Sequence, residues 1–193
     1  MKHILKATLL ISAGSFALSG CMTMSQPTAV RAEATSMVGG AEMFPTRNII
    51  QNAVNSADHT TLVAAVKAAD LVDTLSSAGP FTVFAPTNAA FAKLPAGTVD
   101  TLLQPANKAM LQSILTYHVV PGRLTAANLM TKIRAGGGSA RLTTVNGATL
   151  TARMMDGDIV LVDGKGGISH VTQANVMQSN GIIHVTDSVS LPG

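Results

Sequence analysis

Five histidines, ten carboxylates and one cysteine supply the titratable and nucleophilic groups of this chain. His170, His184 and Asp187 lie near Ser169 and Ser188, which is the inventory of a hydrolase. No Gly-x-Ser-x-Gly elbow, Ser-x-x-Lys, His-Glu-x-x-His or cysteine pair accompanies them. Asp156, Asp158 and Asp163 crowd one stretch, but flank a strand pattern and lack the bidentate Glu of a calcium loop. Asp163-Gly164-Lys165-Gly166-Gly167 is glycine-rich, yet its spacing is not that of a phosphate loop and no Ser or Thr follows the lysine. Met22, Met24, Met37 and Met43 offer soft thioethers without a His or Cys to complete a copper site. The expectation is a protein that is not an enzyme, with no cofactor and no metal.

Charge gives a second set of candidates. Lys132, Arg134, Arg141, Arg153 and Lys165 fall in the C-terminal half. A basic face there would meet anionic glycans or lipid headgroups, whereas a solvated sheet face of mixed charge needs no partner. The mixed-charge face is the favoured reading. The formal charge of +3 includes two lysines in residues 1–20, where there is no acid. Without those residues 11 cations face 10 carboxylates, a balance that does not point to nucleic acid.

The N-terminus has its own chemistry. Lys2 and Lys6 precede an apolar stretch, Ala7 to Leu18, too short to span a bilayer. It ends in Leu18-Ser19-Gly20-Cys21, which resembles the bacterial lipobox: an aliphatic residue, two small ones, then the thiol that receives lipid. The expectation is a lipoprotein signal peptide at 1–20 and membrane attachment through lipid on Cys21. Met22 in place of Asp implies outer-membrane sorting if the cell has two membranes. A cysteine carrying lipid leaves no thiol for a disulfide, so stability must come from packing.

The elements that would position these residues follow from periodicity. Residues 21–45 are rich in Ser, Thr, Ala, Gly and Pro and read as a flexible tether. Helical spacing begins at Ile49 and continues, with interruptions, to Leu115. Phe81–Ala85 and Tyr117–Val120 read as strands within this half. Beyond Leu124–Leu129 the pattern turns to strands, with hairpins at Asn146-Gly147, Asp156-Gly157 and Ser179-Asn180-Gly181. The last strand is expected from Ile182 to Ser190. Helices first and strands later indicate α+β, in a single domain over 46–193.

Residues 80–91, PFTVFAPTNAAF, are the best specified stretch. Val83 and Ala85 point to one strand face, Thr82 and Phe84 to the other. Pro86 ends the strand, Thr87 caps a helix, and Ala90-Phe91 turn inward. Thr82–Phe91 resembles the first signature block of the fasciclin-like domain. Tyr117-His118 stands where that family keeps its Tyr-His pair, and Asn180–Pro192 resembles its second block. The order and spacing cover about residues 47–192.

The resemblance implies a fasciclin-like β-wedge with helices packed along it. Together with the lipobox at Cys21, it implies a lipid-anchored, extracytoplasmic module of the bacterial envelope that binds a cell-surface protein or polysaccharide. The alternative is a periplasm-facing protein that binds a small ligand or serves envelope stress. Thr82, Phe84, Ala85, Pro86, Thr87, Asn88, Phe91, Gly181, His184, Asp187 and Pro192 carry the signatures and read as structural. Tyr117 and His118 are candidate binding residues by resemblance to animal members. His118 and His184 each read as core histidines held by a backbone or hydroxyl partner. Thr186 and Ser190 stand where the family keeps aliphatic residues, and partial exposure is the expected reason.

Overall fold

The computed structural model describes residues 35–193, which fall in one compact unit. Strands β1 (Ser36–Val38) and β2 (Ala41–Met43) form a hairpin ahead of the helices. Then come α1 (Ile49–Ala53), a 3-10 turn (Ala57–His59), α2 (Thr60–Ala68) and α3 (Val72–Ser76). Strand β3 (Phe81–Pro86) is followed by α4 (Asn88–Ala92), α5 (Thr98–Leu102), α6 (Lys108–Tyr117), β4 (Val119–Pro121) and α7 (Ala126–Ala135). The remainder is β5 (Ser139–Thr143), β6 (Thr149–Met155), β7 (Asp158–Val162), β8 (Ile168–Gln178) and β9 (Gly181–Thr186).

Seven strands make one sheet in the order β4-β3-β9-β8-β7-β6-β5. Only β3 and β9 are parallel neighbours, Phe81 facing Gly181 and Pro86 facing Thr186. Burial on both faces is what a parallel pair needs, and the two strands are almost wholly buried. The Val145 amide donates to the Val119 carbonyl (2.8 Å), so the chain after β5 reaches the opposite edge and nearly closes the sheet. The result is the α+β wedge that the sequence implies.

The two faces of β3 divide the core. Val83 and Ala85 join Ile183 and Val185 beneath α1, α2 and α6. Phe84 joins Tyr117, Leu129, Ile133 and the inward residues of β5–β7. Helix α7 supplies the lid of this second core. Thr125 and Asn128 form a reciprocal cap at its start, and Leu129 and Ile133, one turn apart, are both buried. That helix runs past the point where the sequence pattern turns to strands.

Three expectations are corrected. The tether does not extend to residue 45, because Ser36–Met43 fold as a hairpin with Val38 and Met43 in the first core. Gly39 and Gly40 turn the hairpin with positive φ, and Gln173 donates to the Met37 carbonyl from β8. Tyr117 ends helix α6 and His118 caps it, where a strand was expected. Strand β9 stops at Thr186, short of the expected Ser190. The segment that reads as linker therefore carries core residues. Met43→Ala is expected to lower the unfolding free energy by about 2–4 kcal/mol in urea titrations. Exposed Met37→Ala should stay within about 0.5 kcal/mol.

Candidate functional site

The strand-to-helix corner forms as local chemistry dictates. The Thr87 side chain accepts from the Ala90 amide (3.2 Å) and caps α4. Asn88 accepts from the Thr61 amide (3.0 Å) and donates to the Ala57 carbonyl (2.8 Å), so it ties α4 to the start of α2. Thr82 donates to the Gly122 carbonyl (2.6 Å) and accepts from the Leu124 amide (2.8 Å). Phe91 enters the first core. Gly181 faces Phe81 so closely that a Cβ there would press into the Phe81 carbonyl. Asn180, just before it, accepts from the Ile49 amide (3.0 Å) and donates to the carbonyls of Leu75 (2.8 Å) and Ser77 (2.9 Å).

The two signature histidines are closed internally. His118 donates through Nδ1 to the Ile114 carbonyl (2.8 Å), and its Nε2 accepts from the Ser190 amide (2.9 Å). His184 donates through Nε2 to the Leu124 carbonyl (2.8 Å), and its Nδ1 accepts from the Asn175 amide (3.4 Å). Its ring stacks on Phe84 at 5.6 Å. Each ring thus holds one neutral tautomer with both nitrogens used. Neither has a lone pair left for a base or a metal.

Tyr117 donates to the Thr149 carbonyl (2.9 Å) and accepts from the Gly164 amide (3.0 Å). It is 0% exposed and His118 is 3% exposed. The binding candidacy of the pair gains no support, because a partner docking on this structure reaches neither side chain. Thr186 and Ser190 are 1% and 2% exposed, against the partial exposure expected of them. The Thr186 hydroxyl donates to the Ser188 carbonyl (3.3 Å), and the Ser190 backbone is the donor to His118.

The other candidates do not converge on a reaction centre. The Asp187 carboxylate accepts from the His170 amide (2.8 Å) and from Lys93 (3.1 Å), while Ser169 donates to the Ser188 carbonyl (2.8 Å). Burial pushes Asp187 up, but those two hydrogen bonds hold it, on balance, below the ordinary carboxylate value. Asp163 accepts from the amides of Lys165, Gly167 and Leu191, which pins the C-terminal segment holding Pro192. Cys21, Met22 and Met24 lie outside the described residues.

One buried pair escaped sequence reasoning. Ser56 and His59 meet at 2.9 Å, Oγ to Nδ1, and are 2% and 4% exposed. Nε2 of His59 has no hydrogen-bond partner; the Ala85 carbonyl is near enough to act on the ring but misses bonding geometry. It borders an apolar cavity of about 30 Å³ lined by Val38, Met43 and Ile183. A neighbouring cavity of about 40 Å³ lies between α1, α2 and β3. Each has room for roughly one or two water-sized bodies.

Burial pushes His118 and His184 below the ordinary histidine value of 6.5, against the pull of the Ile114 and Leu124 carbonyls. The folded state therefore binds fewer protons than the unfolded chain once the pH falls below the ordinary value. Urea-unfolding stability should be flat above about pH 7 and fall below about 6.5. Each ring should contribute a slope of up to about 1.4 kcal/mol per pH unit. Asp187 contributes only at lower pH, below its ordinary 3.8.

A family model, the fasciclin domain, matches residues 57–192. Protein sll1483 of Synechocystis is 43% identical over 192 residues, covering 100% of this chain and 99% of that protein. Cell surface glycolipoprotein MPB83 of Mycobacterium bovis is 37% identical over 123 residues, 64% of this chain and 48% of that protein. The fold matches a FAS1 domain pair from the insect cell adhesion molecule Fasciclin I, with a TM-score of 0.66 at 20% identity. That match covers 74% of this chain and 50% of the pair. The chain belongs to the fasciclin-domain family.

Proposed function

We propose that this chain is a lipid-anchored, non-catalytic binding and adhesion module on the extracytoplasmic side of a bacterial envelope. The observation that carries the non-catalytic part is the internal closure of the signature groups. Tyr117, His118 and His184 each spend both polar functions on the backbone. Groups used this way hold the fold, and recognition passes to the surface.

The anchor reading rests on Leu18-Ser19-Gly20-Cys21. A relative named as a cell surface glycolipoprotein and a fold shared with a cell adhesion molecule support the same location and role. The partners are the membrane, through lipid on Cys21, and a cell-surface protein or polysaccharide. If the cell has two membranes, Met22 after Cys21 implies outer-membrane sorting. The small-ligand alternative finds no room inside the core, where cavities of about 40 and 30 Å³ fall roughly tenfold short of ordinary ligand sites.

Protease shaving of intact cells tests this. The wild-type domain should be cut while periplasmic markers survive, and Cys21→Ser should release it from the membrane fraction. Protection until the envelope is opened would remove adhesion to other cells.

A further inference from the structure

Residues 101–155 hold six cations, Lys108, Arg123, Lys132, Arg134, Arg141 and Arg153, and no Asp or Glu. Lys108 pairs with Asp70, and Arg123 donates to the Gln178 and Ser179 carbonyls. The other four are exposed. Among the described residues the ion pairs within 4.0 Å are Lys93–Asp187 and Lys108–Asp70, so none of the four meets a carboxylate.

The fold brings Lys132, Arg141 and Arg153 to one end of the sheet, whereas Arg134, two residues on from Lys132, points to a different side of α7. Lys132 and Arg134 sit in the last turn of α7. Ala140, Leu142, Leu150 and Ala152 point into the core, which turns Arg141 and Arg153 outward on adjacent strands. Arg153 faces Ser139 and Arg141 faces Thr151, so the two arginines are diagonal neighbours. Between the end of α7 and β5 runs a groove of about 530 Å³, with Lys132 and Arg141 on its walls. Its floor is made of small residues, among them Gly136, where a Cβ would run into the Ser139 carbonyl.

We propose that this groove, with Lys132, Arg141 and Arg153, binds an acidic polysaccharide. The inference rests on the binding-module reading above and names its ligand class. Exposed cations each contribute little to holding a single anion. A chain with repeated negative charges engages several at once and gains by effective concentration. The concave shape and small-residue floor suit a chain and do not suit a planar bilayer. Residues 118–193 contain no Phe, Tyr or Trp, so the face lacks the large aromatic platforms on which bases stack.

The test uses the full chain and three probes: polygalacturonate, neutral dextran, and vesicles of phosphatidylcholine with phosphatidylglycerol. The wild type should bind polygalacturonate, lose it steeply with added salt, and ignore dextran. The double variant Arg141→Ala/Arg153→Ala should weaken binding by about tenfold. Lys108→Ala, which alters an ion pair outside the groove, should leave it unchanged. Wild-type affinity in the double variant, no polygalacturonate binding, or tighter binding to the vesicles overturns the proposal. If polygalacturonate binding fails while shaving still finds the domain outside, the ligand class falls and the adhesion reading stands.

Discussion

Strands β3 and β9 run parallel through the middle of an otherwise antiparallel sheet, buried on both faces. Such a pair can hold polar side chains only where partners are fixed in advance, because an unpartnered buried polar group costs about 1–3 kcal/mol. Thr82 and His184 meet that condition by bonding the loop between β4 and α7, at Gly122 and Leu124. The same loop leads into the Thr125 cap of α7, and α7 lids the second core. His118 and Tyr117 extend the arrangement to the C-terminal segment and to the turn after β7.

Function follows from what this leaves over. Tyr117, His118 and His184 are spent on the backbone, and the internal cavities are small. The outer face of β5 and β6 and the end of α7 are free of structural duty. Among the described residues, Lys132, Arg141 and Arg153 there have no carboxylate within 4.0 Å.

How far the sequence reads depends on whether an element is decided locally. The β3–α4 corner was legible because Pro86, Thr87 and the alternation of Thr82 to Ala85 each specify it within a few residues. The α+β order was legible from periodicity. The β1–β2 hairpin was not, because Val38 and Met43 gain their reason to be ordered only from the core beneath them. Tyr117 and His118 have strand-like neighbours, yet Ile114 and Leu115 are buried one turn earlier and draw them into α6. The burial of Thr186 and Ser190 depends on partners near residue 188 and at His118. Ser56 and His59 gave no signal beyond their spacing of three.

The central claim is that the signature groups act as one internal framework that joins β3, β9 and the C-terminal segment. Native-state hydrogen exchange tests it most directly. The amides of Ser190 and Leu191, bonded to His118 and Asp163, lie outside any strand. The account predicts that they exchange only through global unfolding, together with Phe84 and Ile183. Exchange of Ser190 and Leu191 by local opening, well below the global free energy, would contradict it.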